Sequence, residues 1–137
     1  MLTLHVLAFV FSFGVIWKAD KEAFAWVRGK KEILNRRTLR LYHVLTWLGL
    51  LALIITGAVL SYPMYDYLLR QPLFIMKLLF VGILLVNAVL IGRLMKVTTT
   101  RPFASLSWDE RFPLLTSGAI SSLSWLGAFV LALALFK

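Results

Sequence analysis

Four apolar runs, each close to the length a helix needs to cross a bilayer, leave this chain little freedom in what it folds into. They cover residues 1–17, 41–62, 73–92 and 114–136. About 20 mostly apolar residues, rising ~1.5 Å each, span the ~30 Å hydrocarbon core. Inside that core only segments that satisfy their own backbone hydrogen bonds persist, and for runs of this length that means helices. The chain has 137 residues, 61% hydrophobic and 15% charged, so no soluble domain fits beside the runs. The expectation is an all-α membrane protein with one domain, residues 1–137. It is an up-down bundle of four transmembrane helices, approximately 2–28, 41–62, 72–95 and 114–136. Short connectors make successive helices antiparallel neighbours.

The charge pattern orients this bundle. Lysine and arginine number 15 against 6 acidic residues, a net charge of +9. In a membrane chain such an excess marks cytoplasmic loops facing anionic headgroups, so nucleic acid is not the expected partner. With the N-terminus outside, Lys18, Lys21, Arg28, Lys30, Lys31, Arg36, Arg37, Arg40, Arg93, Lys96, Arg101 and Arg111 all fall inside. Only Arg70, Lys77 and Lys137 fall outside. The predicted topology is N-out/C-out, in a multi-pass protein of the bacterial cytoplasmic (inner) membrane. The first run has no basic n-region and no A-x-A cleavage site, so it reads as a retained helix rather than a signal peptide.

Local signals refine the elements. The first helix continues through KADKEAFAWVRGKK, with Phe24, Trp26 and Val27 extending its apolar stripe, and Gly29 is its natural stop. Residues 29–40 form a basic connector in which Asn35 or Thr38 caps the second helix. Pro63 ends that helix, Tyr62, Tyr65 and Tyr67 make an aromatic belt, and Pro72 opens the third helix. In the last loop Ser107-Trp-Asp-Glu110 fits a capping box, Phe103, Trp108 and Phe112 fit a short interfacial turn, and Pro113 opens the last helix. That helix carries a stripe of small residues, Ser117, Ser121, Ser124 and Ala128, with Gly118 and Ser122 beside it. Small residues let backbones approach in lipid, so the stripe serves packing within the bundle or, as the second choice, an oligomer contact. Asn87, near the middle of the third helix, should hydrogen-bond across to Thr46, Thr56 or a serine of the last helix.

Few residues remain for chemistry. The chain has no cysteine, which excludes disulfides, thiolate metal sites and cysteine nucleophiles. It has no glycine-rich phosphate loop, HExxH or nucleophile elbow. No acid lies at mid-membrane, which argues against a proton-coupled pump. His5 lies one turn inside the outer end of the first helix, and Lys77 stands at matching depth on the third. Lys77 either snorkels to the headgroups or lines a pocket with His5. His43, near the inner end of the second helix, is roughly 20–25 Å deeper, too far for both histidines to hold one metal or one haem iron. Asp20 lies at the depth of His43. The two either pair or, as the preferred reading, belong to an interfacial salt-bridge cluster with Arg40 and Arg93.

Three stretches carry a resemblance. LHVLAFVFSFG places a histidine at the outer end of the first helix, RLYHVLTWLGLLALIITGAVL ends the second in a Thr-Gly pair, and FIMKLLFVGILL places a lysine in the third. Together they resemble the superfamily of small bundles that includes HemJ-type protoporphyrinogen oxidases, CopD-like copper proteins and SirB-like proteins, over roughly residues 4–94. The resemblance implies a haem ligand at His5 and an essential lysine at Lys77, with haem b or a metal as cofactor. Two family features are replaced here: the tryptophan after the histidine by Val10-Phe-Ser-Phe13, and a tyrosine-histidine pair late in the third helix by Leu85-Val-Asn-Ala88. FGVIWKAD and the last helix look more like uncharacterised bacterial members, for which only a fold is implied. Two functions are open at this point: a haem- or metal-binding protein, and a non-catalytic accessory subunit packed in a homo-oligomer or larger membrane complex.

Overall fold

The computed structural model describes residues 1–135. Four long helices dominate: α1 (Leu2–Val27), α2 (Arg36–Ser61), α4 (Pro72–Thr98) and α5 (Trp108–Leu135), with the short turn α3 (Tyr65–Leu68) between α2 and α4. All four are long and apolar enough to cross a membrane. Within their apolar windows only 11%, 11%, 22% and 28% of residues are buried against the rest of the protein. Surfaces that apolar suit lipid and not water, so the fold is that of a multi-pass membrane bundle.

The helices pair as two hairpins, α1 with α2 and α4 with α5, joined through α2 against α4. Contacts run in opposite chain directions: His5 meets Thr56 and Ser12 meets Gly49, while Phe80 meets Gly127 and Asn87 meets Ser117. Phe9 of α1 closes the ring by stacking on Phe129 of α5 at 5.4 Å and packing against Trp125 at 5.9 Å. The mid-bundle core is Leu50, Leu84, Ala88 and Trp125.

Helix ends follow local chemistry. Gly29 takes φ +78°, and the amides of Gly29 and Lys30 bond back to the carbonyls of Trp26 and Ala25, a complete Schellman stop for α1. Asn35 caps α2, its side chain accepting from the Arg37 amide at 2.9 Å and the Thr38 amide at 3.3 Å. With that cap, α2 begins at Arg36 rather than at the first apolar residue, Leu41. Pro72 opens α4 as expected, and α4 runs on to Thr98. The last helix also starts earlier than its apolar run, at Trp108, with Pro113 inside it. Pro113 forgoes one hydrogen bond, to Asp109, close to the helix start, where the freed carbonyl is exposed rather than enclosed by the core. The expected end of this helix at Phe136 lies outside the described residues.

A second core forms at the basic end, where the sequence shows mainly charge. Trp26, Leu34 and Leu106 are buried there, with Phe103 edge-on to Trp26 at 5.1 Å. The Trp26 indole donates to the Arg101 carbonyl at 3.0 Å, and the Leu34 amide to the Thr98 carbonyl at 3.0 Å. Phe103 therefore belongs to a core, whereas Trp108 and Phe112 stay exposed on the first turns of α5. The expected capping box is not formed among the described residues: Ser107 and Glu110 meet side chain to side chain at 3.3 Å, the Glu110 amide bonds the Ser107 carbonyl, and the Glu110 carboxylate pairs with Arg101.

The small-residue stripe is used internally: Ser117, Ser121, Ser124 and Ala128 are all buried. Of the glycines, the one with least room for a side chain is Gly49, where α2 crosses α1. A Cβ at Gly49 would lie 2.1 Å from Ser12 Oγ and 3.1 Å from Ser12 Cβ. Gly49→Val should therefore destabilise the bundle by about 1–3 kcal/mol through overpacking. Gly82→Val, which meets nothing within 4 Å, should stay within about 0.5 kcal/mol. Unfolding of the purified variants in detergent, followed by circular dichroism, checks the contrast.

Candidate functional site

The helices bring the candidate residues to two separate places. At the end away from the basic loops, the His5 ring lies over Gly57, where a Cβ would stand 3.3 Å from Cε1. His5 Nδ1 is 2.8 Å from Thr56 Oγ1. The Thr56 hydroxyl donates to the Ala52 carbonyl at 2.6 Å, so its oxygen is left to accept from the Nδ1–H of His5. That sets the tautomer and leaves Nε2 with a free lone pair, the arrangement a ligating histidine needs. Lys77 of α4 is half-buried. It makes no hydrogen bond or ion pair among the described residues.

His43 sits elsewhere. On α2 it lies thirteen residues before Thr56, about 20 Å along the axis. Its ring packs on α4, with Nε2 3.0 Å from the point where a Cβ of Gly92 would be. The Trp47 indole, a donor only, gives its hydrogen to His43 Nε2 at 3.2 Å. The imidazole is thereby held neutral with its proton on Nδ1, the atom farther from Gly92.

Asp20 and His43 line the same cavity, of ≈ 90 Å³, but no hydrogen bond joins them. The expected salt-bridge cluster with Arg40 and Arg93 is absent too: among the described residues the ion pairs at this end are Lys31 with Glu22 and Arg101 with Glu110. Asp20 makes no hydrogen bond or ion pair among the described residues, although the Nδ1–H of His43 is not engaged by Trp47.

The remaining cavity wall was readable only in part. On α2 Leu39, Tyr42, His43, Thr46 and Leu50, and on α4 Leu84, Asn87, Ala88, Ile91 and Met95, face it. Both sets repeat at i, i+3, i+4, i+7 and i+11, the spacing of one helix face. The signal was there, but a polar residue on such a stripe does not reveal which neighbouring helix it meets. Asn87 settles on α5: Ser117 Oγ donates to its Oδ1 at 2.7 Å and its Nδ2 donates to the Ser117 carbonyl at 3.1 Å.

No group of three or more histidine, cysteine, aspartate or glutamate side chains able to hold a metal ion exists among the described residues. Neither a family model, nor a curated protein, nor a solved structure matches this chain.

The Asn87 pair is testable by a double-mutant cycle. Asn87→Ala and Ser117→Ala should each destabilise the bundle, with a coupling of about 0.6–1.7 kcal/mol between them. Additive effects, measured by unfolding in detergent, would mean that the two side chains do not act as a unit.

Proposed function

We propose that this protein is a bacterial inner-membrane bundle of the HemJ/CopD/SirB-like kind, N-out and C-out, that binds haem b at its outer leaflet through His5. The observation that carries the reading is the hydrogen bond from His5 to Thr56. It fixes the imidazole with Nε2 unprotonated, in the manner of the outer partners that orient ligating histidines. The Thr-Gly pair of α2 supplies both parts of the seat, Thr56 the acceptor and Gly57 the room.

The donor set discriminates between haem and a bare ion. A metal ion held by protein alone needs three or four ligands, and His5 has no such company among the described residues. Haem brings four nitrogens of its own and asks the protein for one axial donor, which a single histidine provides. Lys77, which makes no hydrogen bond or ion pair among the described residues, would neutralise a propionate. When bound, the group supplies one-electron redox chemistry. The chain's own contribution is to hold the axial imidazole in one tautomer and to place a cation at matching depth.

Protein purified in mild detergent after expression with ample haem should show a Soret band and sharp reduced α/β bands. His5→Ala should abolish them, and Thr56→Val should weaken haem affinity about 10–100-fold, the cost of losing an outer partner. A featureless spectrum would overturn the haem reading and favour the accessory-subunit one.

Orientation has its own test, because the chain has no native cysteine. Met64→Cys should react with a membrane-impermeant maleimide on intact cells, and Lys30→Cys only after permeabilisation. The reverse pattern would put His5 at the cytoplasmic face.

A further inference from the structure

The cavity between α1, α2, α4 and α5 is long rather than round. His43 lies against Gly92, and Asn87 is five residues farther along α4, about 7.5 Å deeper. Ser121 stands one turn beyond Ser117, the partner of Asn87, and so about 6 Å deeper again. Asp20, exposed, marks the shallow end near the basic loops, and the core of Leu50, Leu84 and Trp125 closes the deep end. Along this length the wall is mostly aliphatic, with its polar groups at successive depths. His43 has the Nδ1–H that Trp47 leaves free. Thr46 spends its hydroxyl hydrogen on the Tyr42 carbonyl at 2.8 Å and keeps its lone pairs. Asn87 keeps one N–H after Ser117 has taken the other. Ser121 is only 7% exposed, and its hydroxyl has no partner among the described residues. Ser12, Thr46 and Ser61 avoid the cost of an unpaired hydroxyl by bonding a carbonyl of their own helix, and Ser121 does not.

Donors and acceptors spaced along a narrow, otherwise apolar slot suit a ligand that both donates and accepts and can repeat along a line. We propose that this cavity holds a file of water, which enters from the basic end and stops at the middle of the bundle. At about 30 Å³ per molecule, a volume of ≈ 90 Å³ takes about three waters. Three waters in line, about 2.8 Å apart, cover the depth from His43 past Thr46 to Asn87 and leave the last one facing Ser121. Each then has its neighbours in the file and a group on the wall, the two to four partners that a buried water needs. The file is blind. It brings water, and protons passed along it, to mid-membrane without opening a path across the bundle.

The test makes water itself the probe. X-ray radiolysis of the full chain in lipid nanodiscs generates hydroxyl radicals from water in place, and mass spectrometry locates the side chains they oxidise. Leucine is compared with leucine. Leu50 and Leu84 line the cavity and are 3% and 4% exposed, whereas Leu123 and Leu126 are 67% and 60% exposed on the outer surface of α5, which lipid covers. The expected result inverts that order: Leu50 and Leu84 are oxidised several times faster than Leu123 and Leu126. Ser121→Leu, which fills the deep end, should abolish oxidation of Leu50 and Leu84 and spare that of Met95, nearer the shallow end. Circular dichroism checks that this variant folds; if it does not, the comparison of leucines in the parent decides alone. Leu50 and Leu84 oxidised no faster than the lipid-facing pair, or unchanged in a folded Ser121→Leu protein, would overturn the proposal.

Discussion

Two helices in a bilayer gain nothing from hiding apolar surface against each other, because lipid tails are as apolar as leucine. Their pairing depends instead on how closely the backbones approach, and of the glycines the one most closely approached is Gly49 of α2, by Ser12 of α1. Ser12 is fully buried, and its hydroxyl is satisfied within its own helix by the Ala8 carbonyl at 2.8 Å. It therefore asks nothing of α2 except space, and glycine supplies it. The register set there has consequences in both directions. Two turns toward one end it lays His5 on Thr56 and Gly57, and toward the other it brings Ile16, Ala19 and Asp20 to the cavity.

The same device recurs at three other places where a ring lies between helices. His5 rests on Gly57, His43 on Gly92 and Phe80 on Gly127. In each case the missing Cβ belongs to the neighbouring helix, so the large side chain and its seat are on different elements. The two histidines also share a logic of protonation. One ring nitrogen of each is committed to a neighbour of α2, Thr56 or Trp47, which fixes the tautomer and leaves the other nitrogen with a defined role. For His5 the free atom is an acceptor; for His43 it is a donor. Opposite hydrogen-bond partners thus give two similar side chains opposite chemistry.

Helix existence and type were legible because lipid permits few alternatives: a run of about 20 apolar residues has to be a helix if it spans. Boundaries were less so. The apolar run places the start of the second helix at Leu41, but the Asn35 cap lets the helix begin among the charges at Arg36, where water and headgroups tolerate them. Pro113 marks a helix start by rule, yet it sits inside α5, where its missing N–H costs the one backbone bond to Asp109. Residues 29–40 read as a basic connector, and nothing local distinguishes Leu34 from Ile33. Leu34 is buried because Trp26 and Leu106, distant in sequence, converge on it, whereas Ile33 stays exposed.

The sequence by itself determined the number of spans, the Gly29 stop and the small-residue face of the last helix, all of which rest on local backbone chemistry and on periodicity; between Asn35 and Thr38 as the cap of α2 the structure chose. It also put His5 level with Lys77 and far from His43, since depth follows from counting residues along a helix. What only the tertiary structure decided is which partner each polar side chain takes. Asn87 had three candidates and found Ser117; His43 had Asp20 at its own depth and bonded Trp47 instead. Depth is one coordinate, set by position along the chain. The angle of each helix about its axis is the other, and it is chosen only when four helices pack together.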